Sequence, residues 1–126
     1  MPSPADLVRE FHTTFDLARN DVPTWPPAEL AALRQRLLVE ETAEVGEAVR
    51  SDDLAVIAQE LADVVYIAYG TALTYGIDLD AVIAELHWAN MSKLDENGRP
   101  LYRADGKVAK SNRYQPPDIR GALGLD

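Results

Sequence analysis

Two acidic motifs near the middle of the chain decide its fold, EETAE at residues 40–44 and ELAD at residues 60–63. Each motif contains two acids that are three residues apart, so on a helix both carboxylates lie on one face. These four acids are Glu41, Glu44, Glu60 and Asp63. A further acid, Glu40, precedes the first pair. The spacing therefore predicts two helices that each present a pair of carboxylates.

The acids lie on the apolar side of both predicted helices. In the first helix the apolar residues recur at helical spacing, and Glu41 and Glu44 continue their series. The apolar members of this series are Leu30, Leu33, Leu37 and Ala48. The second helix is apolar almost all round over residues 54–69, which leaves Glu60 and Asp63 hardly any solvent-facing position.

Carboxylates that face a helical core are costly unless cations neutralise them. Few basic residues lie near these acids in the sequence. Sites built from carboxylate oxygens favour Mg²⁺ or Mn²⁺. The sequence therefore predicts a Mg²⁺ site between two neighbouring helices, with Mn²⁺ as a substitute.

Two other interpretations of the acids compete with a Mg²⁺ site. Di-iron sites in helical bundles use Glu-x-x-His pairs, and neither helix has a His at the required place. Acids are also common on solvated helix faces, so the interpretation as ordinary surface charges stays open on the residues alone.

The totals exclude several classes of protein. A chain of 126 residues with 47% hydrophobic residues supports one folded domain with one core. The absence of Cys excludes disulfides, zinc–thiolate sites and a thiol nucleophile. The first thirty residues lack a basic region followed by an apolar run, so we expect no signal peptide and a cytoplasmic protein.

Residues 54–73 are apolar enough to raise the question of a membrane span. Three polar residues interrupt this segment near its middle, namely Gln59, Glu60 and Asp63. Charged groups are rare and costly in the centre of a membrane span. The segment is therefore predicted to be a buried helix of a bundle, and no membrane partner is expected.

The net charge of −9 is unevenly distributed. Residues 1–92 carry 16 acids and 5 Lys or Arg, giving −11, whereas residues 93–126 carry 5 acids and 7 Lys or Arg, giving +2. Duplex nucleic acid requires a broad basic face, so no nucleic-acid partner is expected. The distribution suits an acidic metal site with a cationic flap over an anionic ligand, although a basic tail that is solvated or docked on the acidic body is the alternative.

The chain is predicted to form an all-α, four-helix-bundle-type fold with an extended C-terminal loop or flap. Ser3 and Pro4 begin the first helix, and its apolar face consists of Leu7, Phe11, Phe15 and Ala18. The expected bounds of the four helices are Ser3 to about Asn20, about Pro27 to Arg50, about 53–75, and Asp78 or Asp80 to between Asn90 and Lys93. The short link Ser51-Asp52-Asp53 is expected to cap the third helix and to make the second and third helices neighbours, and Gly76 fits the left-handed position after the third helix. Residues 1–126 are expected to form a single domain, with a helical body over 1–93 and a basic, loop-rich tail over 94–126.

The tail is predicted to form a small hairpin or an extended flap. Asn97-Gly98 and Asp105-Gly106 are turn signals, and three prolines exclude a long helix. Lys107 and Lys110 are basic, and Tyr114 follows them. This pattern fits a phosphate clamp and a solvated loop about equally well.

Three further residues outside the acidic motifs are candidates for substrate binding. Asn90 and Lys93 share a face at the end of the fourth helix, where an amide and a cation could contact a ribose or a phosphate. Trp25 lies in the proline-rich linker over residues 21–27. Its indole either packs on the bundle, which is the default, or stacks on a nucleobase.

The motifs together resemble those of the MazG-like all-α NTP pyrophosphohydrolases, a group that includes phosphoribosyl-ATP pyrophosphohydrolase and the dimeric dUTPases. The resemblance rests on LVEETAE at residues 38–44, ELAD at 60–63, HWANMSKL at 87–94 and ADGKVAK at 104–110. It covers about residues 27–120, and the stretch from Tyr114 to Asp118 adds to it.

The resemblance implies a role for each acid. Glu41, Glu44, Glu60 and Asp63 would bind metal, and Glu40 would complete a second metal position. Either Glu40 or Glu41 would also orient or deprotonate the attacking water, with Glu41 favoured. Two or three Mg²⁺ ions would neutralise the triphosphate.

The implied reaction is hydrolysis of a nucleoside triphosphate between the α and β phosphates, which gives a nucleoside monophosphate and pyrophosphate. The implied substrate is dUTP or another (d)NTP, with phosphoribosyl-ATP as the alternative, and the implied role is removal of unwanted or excess nucleotides. The resemblance also implies a homodimer, with a tetramer as a further possibility.

Two rival classes of function are a non-catalytic nucleotide sensor and a helical module that serves only in dimerisation. All five acids are present, whereas a sensor without catalysis is expected to have lost one or more. A dimerisation module leaves the inward acids unexplained. Both observations favour the enzyme.

Overall fold

The protein is described by a computed structural model that covers residues 1–125. These residues form five helices and no strand beyond one isolated bridge, which confirms the predicted all-α class. The helices are α1 (Pro4–Thr14), α2 (Ala28–Arg50), α3 (Leu54–Tyr75), α4 (Leu79–Met91) and α5 (Ile119–Leu123). The chain divides into two compact units, Met1–Leu79 and Asp80–Asp126. The predicted single domain over residues 1–126 stays a prediction.

Helix α1 begins as the sequence predicts and ends earlier. The hydroxyl of Ser3 accepts a hydrogen bond from the Asp6 amide, and the Asp6 carboxylate accepts one from the Ser3 amide. The predicted end near Asn20 is wrong, because Asp16 adopts a left-handed conformation with φ of 53° and the Leu17 amide donates back to the His12 carbonyl. Aspartate tolerates that conformation better than most residues, so the helix stops at Thr14.

The segment after α1 binds the C-terminal end of α3. The Asn20 amide and side chain donate to the carbonyls of Leu73 and Thr74 at 2.9 and 2.7 Å. Gly76 ends α3 in the predicted left-handed conformation, with φ of 70°. A Cβ at Gly76 would also collide with the Val22 carbonyl, so this close approach requires glycine.

Helices α2 and α3 form an antiparallel hairpin in the first unit. The link of three residues consists of Ser51, Asp52 and Asp53. Asp52 has a φ of 58°, and the Asp53 carboxylate accepts a hydrogen bond from the Ala55 amide at 2.9 Å, which begins α3. The prediction that this short link makes the two helices neighbours is confirmed, since α2 packs along α3.

The residues on the inward face of α2 differ from the predicted ones at two positions. Leu33 is 39% exposed and Glu44 is exposed, whereas Arg34 is buried and Val45 is half-buried. One series of buried and half-buried positions follows steps of four, three, four, four and three residues, namely Leu30, Arg34, Leu37, Glu41, Val45 and Ala48, and Ala31 and Leu38 beside it are half-buried too. A cation therefore occupies a position that the sequence pattern assigned to a leucine.

Helix α3 is less buried than the sequence predicts. Its buried residues are Glu60, Gly70, Ala72, Leu73 and Thr74. The predicted burial of this helix in a bundle is met only in part within the described chain, because within the first unit α1 and α2 are the helices that pack against it. By length and composition α3 also qualifies as a candidate membrane span, a weak indication that core helices of other proteins share.

The second unit contains α4, the tail and α5. Residues Tyr102 and Val108 form an antiparallel bridge, and the Arg103 amide donates to the Lys107 carbonyl at 2.7 Å, which confirms the predicted small hairpin. Gly106 lies at its turn with φ of 86°. Sequence reasoning missed α5, a helix of five residues that the Asp118 carboxylate caps.

Candidate metal centre

Three of the five predicted acids come together between α2 and α3. Glu41 on α2, and Glu60 and Asp63 on α3, each offer a carboxylate oxygen, and these oxygens all lie within 4.8 Å of one another. Helical spacing places Glu60 and Asp63 on one face, and the antiparallel hairpin brings Glu41 opposite them. The structure thus brings one acid of α2 and both acids of α3 together.

The environment of Glu60 resists a second negative charge. Glu60 is buried, and its pKa is raised from 4.5 to about 7. The main cause is that protonated Glu60 can donate a hydrogen bond to the Glu41 carboxylate, followed by burial and by the negative charges of Glu41 and Glu44. Without a cation beside it, Glu60 therefore stays protonated to a higher pH than a free glutamate does.

The chemistry of this cluster fits a hard divalent cation. Glu41 Oε2 and Glu60 Oε1 are buried and have no hydrogen-bond partner within residues 1–125. Buried polar atoms are normally satisfied, so such atoms indicate a missing partner. Carboxylate oxygens alone are the donor set that Mg²⁺ and Mn²⁺ prefer. Glu41, Glu60 and Asp63 are the residues that would hold the ion.

The other two predicted acids lie at the margin of this cluster. Glu44 is exposed, yet its charge contributes to the raised pKa of Glu60, so it lies close to that carboxylate. Glu40 is exposed. Their assignment as metal ligands stays a prediction.

Sequence reasoning missed a polar group that is buried further along α2 and α3. Arg34 is 7% exposed and donates hydrogen bonds to Thr71 Oγ1 at 3.1 Å and to the Ile67 carbonyl at 3.0 Å. His12 of α1 is 3% exposed, and its Nδ1–H donates to the Ala18 carbonyl at 2.9 Å. Gly70 gives both side chains room, since a Cβ there would lie 2.8 Å from His12 Nε2 and closer still to Arg34 Nη2.

Burial dominates the electrostatics of these two basic groups. It lowers the pKa of the Arg34 guanidinium and of the His12 imidazole. For His12 the hydrogen bond to the Ala18 carbonyl opposes the shift, whereas the charges of Arg34 and Arg19 add to it. The signal that could have found Arg34 is its spacing, four residues after Leu30 and seven before Glu41 on the inward face.

Trp25 is 87% exposed and contacts the protein through one aromatic edge. Its ring lies 5.9 Å from the ring of Tyr75, with an angle of 71° between the planes. The preferred interpretation, that the indole packs on the bundle, is therefore met only in part. Most of the indole surface is free to contact a ligand.

The remaining predicted residues belong to the second unit. Asn90 is exposed and Lys93 is half-buried at the end of α4. Lys107 is exposed in the hairpin, and the Lys110 ammonium lies 4.6 Å from the centre of the half-buried Tyr114 ring. Tyr114 also lines a cavity of about 690 Å³ in this unit. Their roles in substrate binding stay predictions.

Comparison with known proteins identifies the family. The family model described as phosphoribosyl-ATP pyrophosphohydrolase matches residues 8–90, which include α2, α3 and all five acids. No curated protein matches the chain at a significant level. The match spans more than half of the chain, which therefore belongs to this family, part of the MazG-like all-α NTP pyrophosphohydrolase superfamily. The family acts as a pyrophosphohydrolase on acid anhydrides, which confirms the predicted class of enzyme.

Proposed function

We propose that this member of the phosphoribosyl-ATP pyrophosphohydrolase family is a Mg²⁺-dependent enzyme that hydrolyses dUTP or another (d)NTP to the monophosphate and pyrophosphate. Water attacks the α-phosphorus of the triphosphate. The bond from this phosphorus to the oxygen that bridges the α and β phosphates breaks, and pyrophosphate leaves. The proposal extends the family's pyrophosphohydrolase activity in three respects: the metal, the residues and the substrate.

One observation carries the proposal. Two buried carboxylate oxygens, Glu41 Oε2 and Glu60 Oε1, have no partner within the described residues and lie in a cluster with Asp63. A triphosphate brings several negative charges, which such a cluster would repel without cations. When bound, Mg²⁺ would supply charge neutralisation and a lowered pKa of bound water.

The chain's own residues divide the remaining work. Glu60 and Asp63 lie on the apolar helix α3 and serve as ligands, because a carboxylate buried there tolerates ionisation only beside a cation. Glu41 is half-buried and serves both as a ligand and as the group that orients or deprotonates the attacking water. Glu40 and Glu44 complete a further metal position at the exposed margin of the cluster. Substrate contacts come from Asn90, Lys93, Lys107, Lys110, Tyr114 and Trp25.

Phosphoribosyl-ATP is the second candidate substrate, because the family model that matches the chain carries that name. It shares the triphosphate, so the acidic cluster does not discriminate between the two candidates. The tail motifs favour dUTP or another (d)NTP over phosphoribosyl-ATP, because their resemblance to the phosphoribosyl-ATP enzymes is looser.

The proposal includes a homodimer in the cytoplasm. Large apolar side chains on α3 are exposed in the single chain, namely Leu54, Val56, Leu61, Val65 and Tyr66. A second copy of the chain would cover them, and exposed apolar surface of this kind marks interaction sites.

The test is product analysis on a nucleotide panel that contains dUTP, the other canonical dNTPs and phosphoribosyl-ATP, with Mg²⁺ and with EDTA. Pyrophosphate and a monophosphate should be formed with Mg²⁺ only, and fastest from dUTP. Release of inorganic phosphate and a diphosphate would contradict the bond assignment. Turnover of phosphoribosyl-ATP alone would make the second candidate the substrate.

A further inference from the structure

A cavity of about 500 Å³ lies beside the acidic cluster in the first unit and is not used by the proposed chemistry. It is formed by the N-terminal part of α2 and the C-terminal part of α3. Its lining residues are Ala28, Ala31, Ala32, Arg34, Gln35, Leu38, Thr71 and Tyr75. Leu38 lies three residues before Glu41, so the cavity extends to within one helical turn of the acids.

Arg34 gives this cavity a buried positive charge. No ion pair among residues 1–125 includes it, and its two hydrogen-bond acceptors, Thr71 Oγ1 and the Ile67 carbonyl, are neutral. A buried charge without an ionised partner is costly. Its Nε and Nη2 atoms make these bonds, which leaves Nη1 to donate to a ligand.

The walls of the cavity favour a flat, mostly apolar ligand over a phosphate. Three alanines, a leucine and the Tyr75 ring supply most of the lining, and Arg34 is its single cation. Phosphate sites commonly combine several cations, and this lining contains one. The centre of the Trp25 ring lies 5.9 Å from the centre of the Tyr75 ring, which places a second aromatic residue beside the cavity.

The position of Arg34 matches the dimensions of a nucleotide. Arg34 and Glu41 are separated by seven residues on one helix, which corresponds to roughly 10 Å at about 1.5 Å per residue. This separation is comparable to the length of a nucleoside. A substrate with its reacting phosphate at the acids would therefore extend its base into the cavity.

We propose that this cavity binds the base of the substrate and that Arg34 selects bases that carry an oxo group. The proposal rests on the proposed function and deepens it. A guanidinium donates hydrogen bonds and cannot accept them, so it requires an acceptor on the base edge. The exocyclic oxo group of uracil is such an acceptor, whereas the exocyclic group of adenine, the base of phosphoribosyl-ATP, is an amino donor. Arg34 thus discriminates dUTP from adenine nucleotides.

The first test compares kcat/KM for dUTP and dATP in the wild type and in Arg34→Gln. The wild type should prefer dUTP by at least about tenfold, and the variant should lose about 10- to 100-fold on dUTP with little change on dATP, since a hydrogen bond from a charged donor is removed. A folded Arg34→Gln protein that keeps the wild-type preference overturns the proposal.

A second variant keeps Arg34 and its buried charge unchanged. Ala31→Leu fills the cavity from the α2 side, with Ala55→Leu at an exposed position of α3 as the matched control. Calorimetry with dUMP and dAMP, in the presence of Mg²⁺, measures binding without turnover. Ala31→Leu should weaken dUMP binding at least about tenfold relative to Ala55→Leu, from loss of the contact area. Equal affinities in the two variants overturn the proposal.

The outcomes separate this inference from the proposed function. If the wild type hydrolyses dUTP and dATP equally well with Mg²⁺, the base selection is wrong and the pyrophosphohydrolase function stands. If it releases pyrophosphate from no nucleotide but binds dUMP in preference to dAMP, the cavity assignment stands and the proposed catalytic function fails.

Discussion

At the scale of single residues, Glu60 is the group that most constrains the chemistry of the proposed site. Its pKa of about 7 lies well above the ordinary 4.5, so the folded protein favours the protonated form when no cation is bound. A group with a raised pKa stabilises the fold fully below its unfolded pKa, and this contribution is lost as the pH rises through the folded pKa. Metal-free protein should therefore lose stability between about pH 5 and pH 8.

Thermal melts in EDTA across this pH range test the expectation, with Glu60→Gln as the comparison. His12 acts in the opposite direction, because its lowered pKa favours the neutral ring and adds stability as the pH rises. The difference between wild type and Glu60→Gln removes that shared contribution. A difference in melting temperature that does not change with pH would contradict the assigned environment of Glu60.

The role proposed for Glu41 differs from that of a simple ligand. Glu41→Gln should lose turnover by a larger factor than it loses Mg²⁺ affinity, because general bases contribute on the order of 10² to 10⁴ in rate. Steady-state kinetics on dUTP, together with calorimetric Mg²⁺ titration, compare the two losses. Near-normal turnover in this variant would contradict the role of Glu41 as the base, and Glu40 would become the candidate for that role. Glu47→Gln is the control, since Glu47 is an exposed acid of the same helix.

At the scale of secondary-structure elements, the hairpin of the tail carries the proposed phosphate contacts. Lys107 is exposed, and Lys110 is held over the Tyr114 ring by a cation–π contact. Lys107→Ala and Lys110→Ala should each raise KM for dUTP by roughly three- to tenfold with little change in kcat, the scale of one exposed charge contact.

Initial-rate kinetics on these variants measure the effect, with the exposed Arg36→Ala on α2 as a charge-matched control. An unchanged KM in both lysine variants would contradict the proposed phosphate contacts, and the tail would then be a packed or solvated segment without a role in substrate binding. Point substitutions are preferable to truncation after Lys93, because that residue lies inside the second compact unit.

The helices could be predicted from sequence where local signals are strong. Capping at Ser3 and Asp53 and the left-handed Gly76 are local features, and each is found at its predicted place. The end of α1 was missed because Asp16 adopts a conformation that depends on its neighbours. Helix α5 was missed because five residues provide too short a periodic pattern.

The candidate site was also predictable only where local spacing in the sequence determines it. Spacing of three residues places Glu60 and Asp63 on one face, and a short link brings Glu41 to them, so the acids could be found from the sequence. Arg34 was missed although its spacing from Leu30 and Glu41 is helical, because charged residues are seldom buried and the pattern favoured Leu33 at that step. Its burial depends on the room at Gly70 and on the acceptors of α3, which are tertiary features.

At the scale of the whole molecule, the exposed apolar surface of α3 supports the proposed homodimer. Leu61 is 51% exposed and Leu54 is 83% exposed in the single chain of 13.9 kDa. Light scattering should give about twice that mass, and Leu61→Lys should shift the protein toward monomer, because burying a lysine at an apolar interface is costly. Val108→Lys, on the exposed hairpin, should leave the mass unchanged. A wild-type monomer at micromolar concentration would contradict the proposal.

Calorimetric titration of Mg²⁺ into the wild type, Asp63→Asn and Glu47→Gln decides whether the acidic cluster is a metal site. The claim is that Glu41, Glu60 and Asp63 together bind the cation. It predicts saturable binding by the wild type and by Glu47→Gln, and affinity at least about tenfold weaker in Asp63→Asn, which loses a charged ligand. Equal Mg²⁺ affinity in all three proteins, or no binding by folded wild type, would contradict it.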